Sequence, residues 1–119
     1  MAEGLAREVF DGWDVESAGL SPLYTGATSE AIQVMHEEYA IDISGHKSKS
    51  IHDVPIKDFD LIVGMTQEIC EDLRNEPLDI DDKLICWRIT DPYREGVDAF
   101  KRCAGKIKVN IDKLKASQS

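Results

Sequence analysis

Residues 58–65, Asp-Phe-Asp-Leu-Ile-Val-Gly-Met, hold the segment on which the fold turns. Leu61, Ile62 and Val63 form an unbroken apolar run between turn-forming neighbours. Such a run without alternation predicts a strand covered on both faces, the signature of a parallel sheet. Thr66 follows as a helix cap, with Ile69, Cys70 and Leu73 on the inward face of a helix reaching Asn75. Residues 78–82 read as a loop and 83–89, Lys-Leu-Ile-Cys-Trp-Arg-Ile, as the next strand. Asp91-Pro92 then reads as the opening of a last helix, with Asp91 at the cap and Pro92 at the first helical position. Val97, Phe100, Ala104, Ile107, Ile111 and Leu114 supply that helix with an apolar stripe at spacings of three and four.

Towards the amino end, Trp13 to Gly19 reads as a short strand running into a loop, and Thr28 or Ser29 as the cap of a helix with Ala31, Ile32, Met35 and Tyr39 inward. Residues 41–55 read as polar and irregular. Ala2, Leu5, Ala6, Val9 and Phe10 recur at helical spacing from the start, with no capping residue ahead of them. The predicted order is α-β-α-β-α-β-α, an α/β chain with a small doubly wound parallel sheet and helices on both faces. Such sheets ordinarily open on a strand, and here a helix stands first.

The 119 residues suit a single domain spanning 1–119. A net charge of −9 argues against a nucleic-acid surface or an anionic membrane surface. Residues 101–119 carry six Lys/Arg against one Asp, or +5, leaving −14 for residues 1–100; this basic stretch reads as the solvated face of a terminal helix. No apolar run approaches the roughly 18 residues of a membrane span, and Glu3, Arg7 and Glu8 are incompatible with a signal peptide. Cys70, Cys86 and Cys103 are odd in number and widely spaced, which favours a reduced, cytoplasmic setting over a disulfide scaffold. Cys86, within an apolar run, reads as buried and inert. His36, His46 and His52 lack metal-ligand spacing, so neither metal nor cofactor is expected.

Residues 1–7 (MAEGLAR), 16–19 (ESAG), 41–50 (IDISGHKSKS), 58–65 (DFDLIVGM) and 87–93 (WRITDPY), taken in this order, resemble the low-molecular-weight protein tyrosine phosphatases and the related thioredoxin-coupled arsenate reductases. The resemblance covers nearly the whole chain. It implies a phosphate-binding C-x5-R loop joining a first, central strand to the helix that begins here at residue 1. There, backbone amides would cradle an oxyanion, lower the cysteine's pKa and leave the arginine to clamp phosphoryl oxygens. No cysteine of these residues fits that loop: the positions six beyond Cys70, Cys86 and Cys103 are Glu76, Pro92 and Val109. The expectation is therefore a chain truncated at its amino end, lacking the nucleophile and inactive as it stands. Its sheet would be short of a central strand between 13–19 and 58–65, and exposed strand edges would favour self-association.

The resemblance further implies that Asp91 is the general acid for the leaving oxygen, beside its reading as a helix cap. Tyr93 would flank the substrate ring, and Ser17 and His46 would brace the phosphate loop. The substrate would be a phosphorylated protein or a small phosphoester. The arsenate-reductase branch needs a cysteine pair just after residues 58–65; with Cys70 alone there, the phosphatase branch is preferred. A non-catalytic pseudophosphatase that binds a partner is the remaining alternative.

Overall fold

The computed structural model describes residues 1–19, 28–47, 49–76, 79–90, 92 and 95–118. Within them the chain forms four helices and a two-stranded parallel sheet: α1 (Ala2–Val9), α2 (Ser29–Tyr39), β1 (Ile62–Gly64), α3 (Gln67–Asn75), β2 (Leu84–Cys86) and α4 (Val97–Ser117). Short 3-10 turns at Ile51–Asp53 and Ile56–Asp58 lead into β1.

β1 and β2 pair in parallel, with Ile62 opposite Leu84, Val63 opposite Ile85 and Gly64 opposite Cys86. Beyond the strands the pairing continues as single hydrogen bonds, Trp87 N–H to Gly64 O at 2.9 Å and Ile89 N–H to Met65 O at 3.0 Å. The α3 connection between parallel strands is the crossover such a pair requires. The α/β class and its parallel sheet are therefore as the apolar run at residues 61–63 predicts.

Two helix starts follow the capping chemistry of the sequence. Thr28 Oγ1 accepts from Ala31 N–H at 3.3 Å, and Thr66 Oγ1 from Ile69 N–H at 3.2 Å. Each hydroxyl satisfies one of the amides that a first helical turn leaves without a carbonyl. Thr28, rather than Ser29, is the cap of α2.

The start of α4 differs from the expectation. Its cap is Gly96, at φ 90° and ψ 172°, so the helix begins at Val97 and Asp91 is not its cap. Ahead of it, Glu95 N–H donates to Pro92 O at 2.9 Å. Gly96 occupies backbone space that L side chains avoid, and this breaks the continuity that Pro92 suggested.

The expected strand at 13–19 is also altered. Among the described residues only Gly19 makes a ladder contact, a parallel bridge to Ser50, with Gly19 N–H to Lys49 O at 2.8 Å and Ile51 N–H to Gly19 O at 3.1 Å. Side chains engage the preceding backbone instead: Arg7 Nη2 donates to Val15 O at 3.0 Å. Among the described residues the expected strand is thus reduced to that single bridge.

The apolar interior has two parts. The larger gathers Leu5 and Phe10 of α1, Ala31, Val34 and Met35 of α2, and Phe100, Cys103, Ala104, Ile107 and Ile111 of α4, with Ile43 and Ile89. The smaller joins Ile62 of β1 to Leu73 of α3, with Ile51 and Ile80. Helices thus supply most of one core, closed by Ile43 and Ile89, and a second forms against β1; amphipathic burial holds each in place. Among the described residues no helix is long and apolar enough to cross a membrane.

Candidate active site

The amino end of α1 is the natural place to look for anion chemistry, because first-turn amides and the helix dipole attract negative charge. Met1 stands at its cap and provides no side-chain acceptor. One turn in, Glu3 gathers the polar groups around it. Its Oε1 accepts from Ser17 N–H at 2.9 Å and from Ser17 Oγ at 3.0 Å. Its Oε2 lies 3.4 Å from His46 Nδ1 and 3.9 Å from Arg7 Nη2. The Glu3 carboxylate is largely enclosed, with only 16% of its side chain exposed, so these partners replace water that it has lost.

Ser17 and His46 arrive from different loops. Arg7 fixes the first loop at Val15, and Lys49 donates to Glu16 across to the second. His46 is set by its own N–H to Ile43 O at 3.0 Å, while Asp42 Oδ1 accepts Ser44 N–H at 2.9 Å to tighten the same turn. Hydrogen bonding from Ser44 holds the exposed Asp42 carboxyl below its ordinary range.

The two residues singled out for bracing, Ser17 and His46, are thus brought together on one carboxylate. Glu3 itself was not singled out by sequence reasoning. Its pairing with Arg7 four residues on is visible as a helical ion pair. Its convergence with Ser17 and His46, 14 and 43 residues away, is visible only in three dimensions. Asp91 and Tyr93 lie outside the described residues. Thr90, the neighbour of Asp91, is tied to α4 through Cys103 Sγ, 3.9 Å from its carbonyl oxygen.

The cysteines also depart from the reading of the sequence. Cys86 is exposed at the end of β2, not buried, since among the described residues β2 pairs with β1 alone and stands at a sheet edge. Cys70 is fully buried and joined to Cys86 by a disulfide. The partner of Cys70 was missed because it comes from the next strand, 16 residues on, rather than from the same turn.

Three comparisons bear on this arrangement. An arsenate reductase of Staphylococcus aureus strain N315 is 36% identical over 118 residues, 97% of this chain and 85% of the relative. The crystal structure of a low molecular weight protein tyrosine phosphatase from T. tengcongensis superposes with a TM-score of 0.87 at 29% identity, covering 98% of this chain and 88% of that one. An arsenate reductase in the reduced state superposes at 0.79 with 28% identity, covering 98% and 86%. The family model for low molecular weight phosphotyrosine protein phosphatases matches residues 1–118, and the chain belongs to that family.

Proposed function

We propose that this chain carries the supporting part of a cysteine phosphatase that hydrolyses phosphomonoesters through a phosphocysteine. The observation that carries the reading is the convergence of Ser17 and His46 on Glu3, beside an α1 amino end without a side-chain cap. A C-x5-R loop joined ahead of α1 would lie against this cluster, whose hydrogen bonds restrict its motion. Its thiolate would attack phosphorus, and its arginine would hold the equatorial oxygens.

In this proposal Asp91 is the general acid that protonates the leaving oxygen, then the base that activates water against the phosphocysteine. The capping explanation for Asp91 has lost its support, since Gly96 caps α4. Tyr93 would flank the aryl ring of the substrate. No C-x5-R sequence occurs in residues 1–119, so in this proposal turnover of aryl phosphates depends on a loop supplied to them.

The test is to join a strand and C-x5-R loop, from the gene or from a relative, ahead of Met1 and to assay a series of aryl phosphates. Activity is expected, and Asp91→Asn is expected to lower kcat by about 10²–10⁴ for poor leaving groups and less for good ones. Equal losses across the series would remove Asp91 from the acid role. A folded, loop-bearing chain with no turnover would favour a partner-binding pseudophosphatase.

Arsenate reduction is a second reading, favoured by the 36% identity to the Staphylococcus aureus protein. Arsenate-dependent oxidation of a dithiol by the loop-bearing chain, exceeding its aryl phosphatase turnover, would place it there.

A further inference from the structure

We propose that Cys70 and Cys86 form a reversible dithiol–disulfide couple, served by an external dithiol that attacks at Cys86. The couple is independent of the phosphatase reading and involves none of its residues. Its two sulfurs sit in sharply different surroundings. Cys86 ends β2 in an exposed position, and Arg74 Nη2 of α3 donates to its Sγ at 3.4 Å. Cys70 is 0% exposed, with its Sγ over Gly64 of β1 where the missing side chain makes room. Their Cα atoms are 6.1 Å apart, within ordinary disulfide reach.

This asymmetry dictates the route. A thiolate from solvent cannot reach Cys70, so it attacks Cys86 Sγ. The Cys70–Cys86 bond breaks, a mixed disulfide forms on Cys86, and the electron pair leaves on Cys70, which takes up a proton as the buried thiol. The second thiolate of the same reductant then attacks its own sulfur in the mixed disulfide. This closes the reductant's ring and expels Cys86 as a thiolate, whose charge the Arg74 guanidinium stabilises. Two electrons pass in all, and reoxidation by a disulfide runs the same steps backwards.

A monothiol stalls midway. Cys70, held beside Cys86 at high effective concentration, re-attacks the mixed disulfide and ejects the monothiol before a second molecule arrives. The site therefore selects a dithiol. Its state decides whether α3 is covalently fastened to the end of β2 or only packed there.

The experiment uses the unmodified chain under native conditions, with differential alkylation and peptide mass mapping. After equilibration with oxidised dithiothreitol, Cys70 and Cys86 are expected to resist alkylation together. Reduced dithiothreitol added to the folded protein, with circular dichroism retained, is expected to free both, read as alkylation of both after an acid quench and denaturation. Reduced glutathione at equal thiol concentration is expected to open the pair at least about tenfold more slowly. Alkylation of Cys86 in the oxidised, folded protein would overturn the couple. Reduction only after denaturation would make the bond a fixed structural link and also overturn it. Equal rates with glutathione and dithiothreitol would overturn the assignment of a dithiol partner.

Discussion

A single oxygen of Glu3, its Oε1, accepts both the backbone N–H and the hydroxyl of Ser17, at 2.9 and 3.0 Å. The contact fastens the loop after α1 to the first turn of that helix. Glu3→Ala leaves both donors and the facing His46 without their acceptor and is expected to destabilise the chain by about 1–3 kcal/mol. Glu3→Gln keeps an oxygen for Ser17 and loses only the charge facing His46 and Arg7, so it costs less. Denaturant midpoints at constant m-value measure the difference.

The end of α2 offers a gain. Ala40 sits at φ 55° and ψ 35°, left-handed space that a Cβ disfavours, and its N–H caps His36 O at 3.1 Å. Ala40 is exposed, so Ala40→Gly removes no core packing. It is expected to stabilise the fold by about 0.5–1 kcal/mol. A lowered melting temperature in this variant would contradict the capping argument.

Gly64 faces the opposite constraint. A Cβ there would run into Cys70 Sγ, which its bond to Cys86 keeps from moving aside. Gly64→Ala is expected to destabilise by about 1–3 kcal/mol through overpacking. Gly45→Ala is the control, since its Cβ would meet nothing within 4 Å. Melting curves of the two variants side by side decide the point.

Acid dependence enters through the surface pair of Glu16 and Lys49. The hydrogen bond from the Lys49 ammonium holds the Glu16 carboxyl below its usual value. A lowered folded pKa gives stability that is fully present above the unfolded value, about 4.3 for glutamate, and lost as pH falls through the folded one. Solvent screens the pair, so its contribution is at most about 1 kcal/mol. Lys49→Met is expected to melt lower than the parent at pH 6 and to converge with it as pH falls through the lowered Glu16 value. A gap of constant size across that range would show that Lys49 acts through packing.

Local chemistry was legible in the sequence, and long-range meetings were not. Thr28 and Thr66 announce their helices because a cap acts within three residues, and the 61–63 run announces its strand by being apolar throughout. Asp91-Pro92 misled because Pro92 satisfies the rule for a helix start, while Gly96 four residues later overrides it by conformation. Cys86 misled because apolar neighbours in a strand imply burial only when another layer covers them. Ser17 and His46 came from the family resemblance, and their meeting point on Glu3 depended on how two loops fold back. No pattern along the chain encodes that closure.

The larger core has a temporal consequence. α1 supplies Leu5 and Phe10 and α4 supplies Phe100, Ala104, Ile107 and Ile111, so opposite ends of the sequence share one interior. A nascent chain leaving the ribosome therefore carries an apolar α1 face through the synthesis of some ninety further residues before its cover exists. Until α4 emerges, α1 and α2 can bury only part of their apolar faces. Maturation thus awaits the final helix, and deletions within 97–117 strand the early helices in a sticky, chaperone-dependent state.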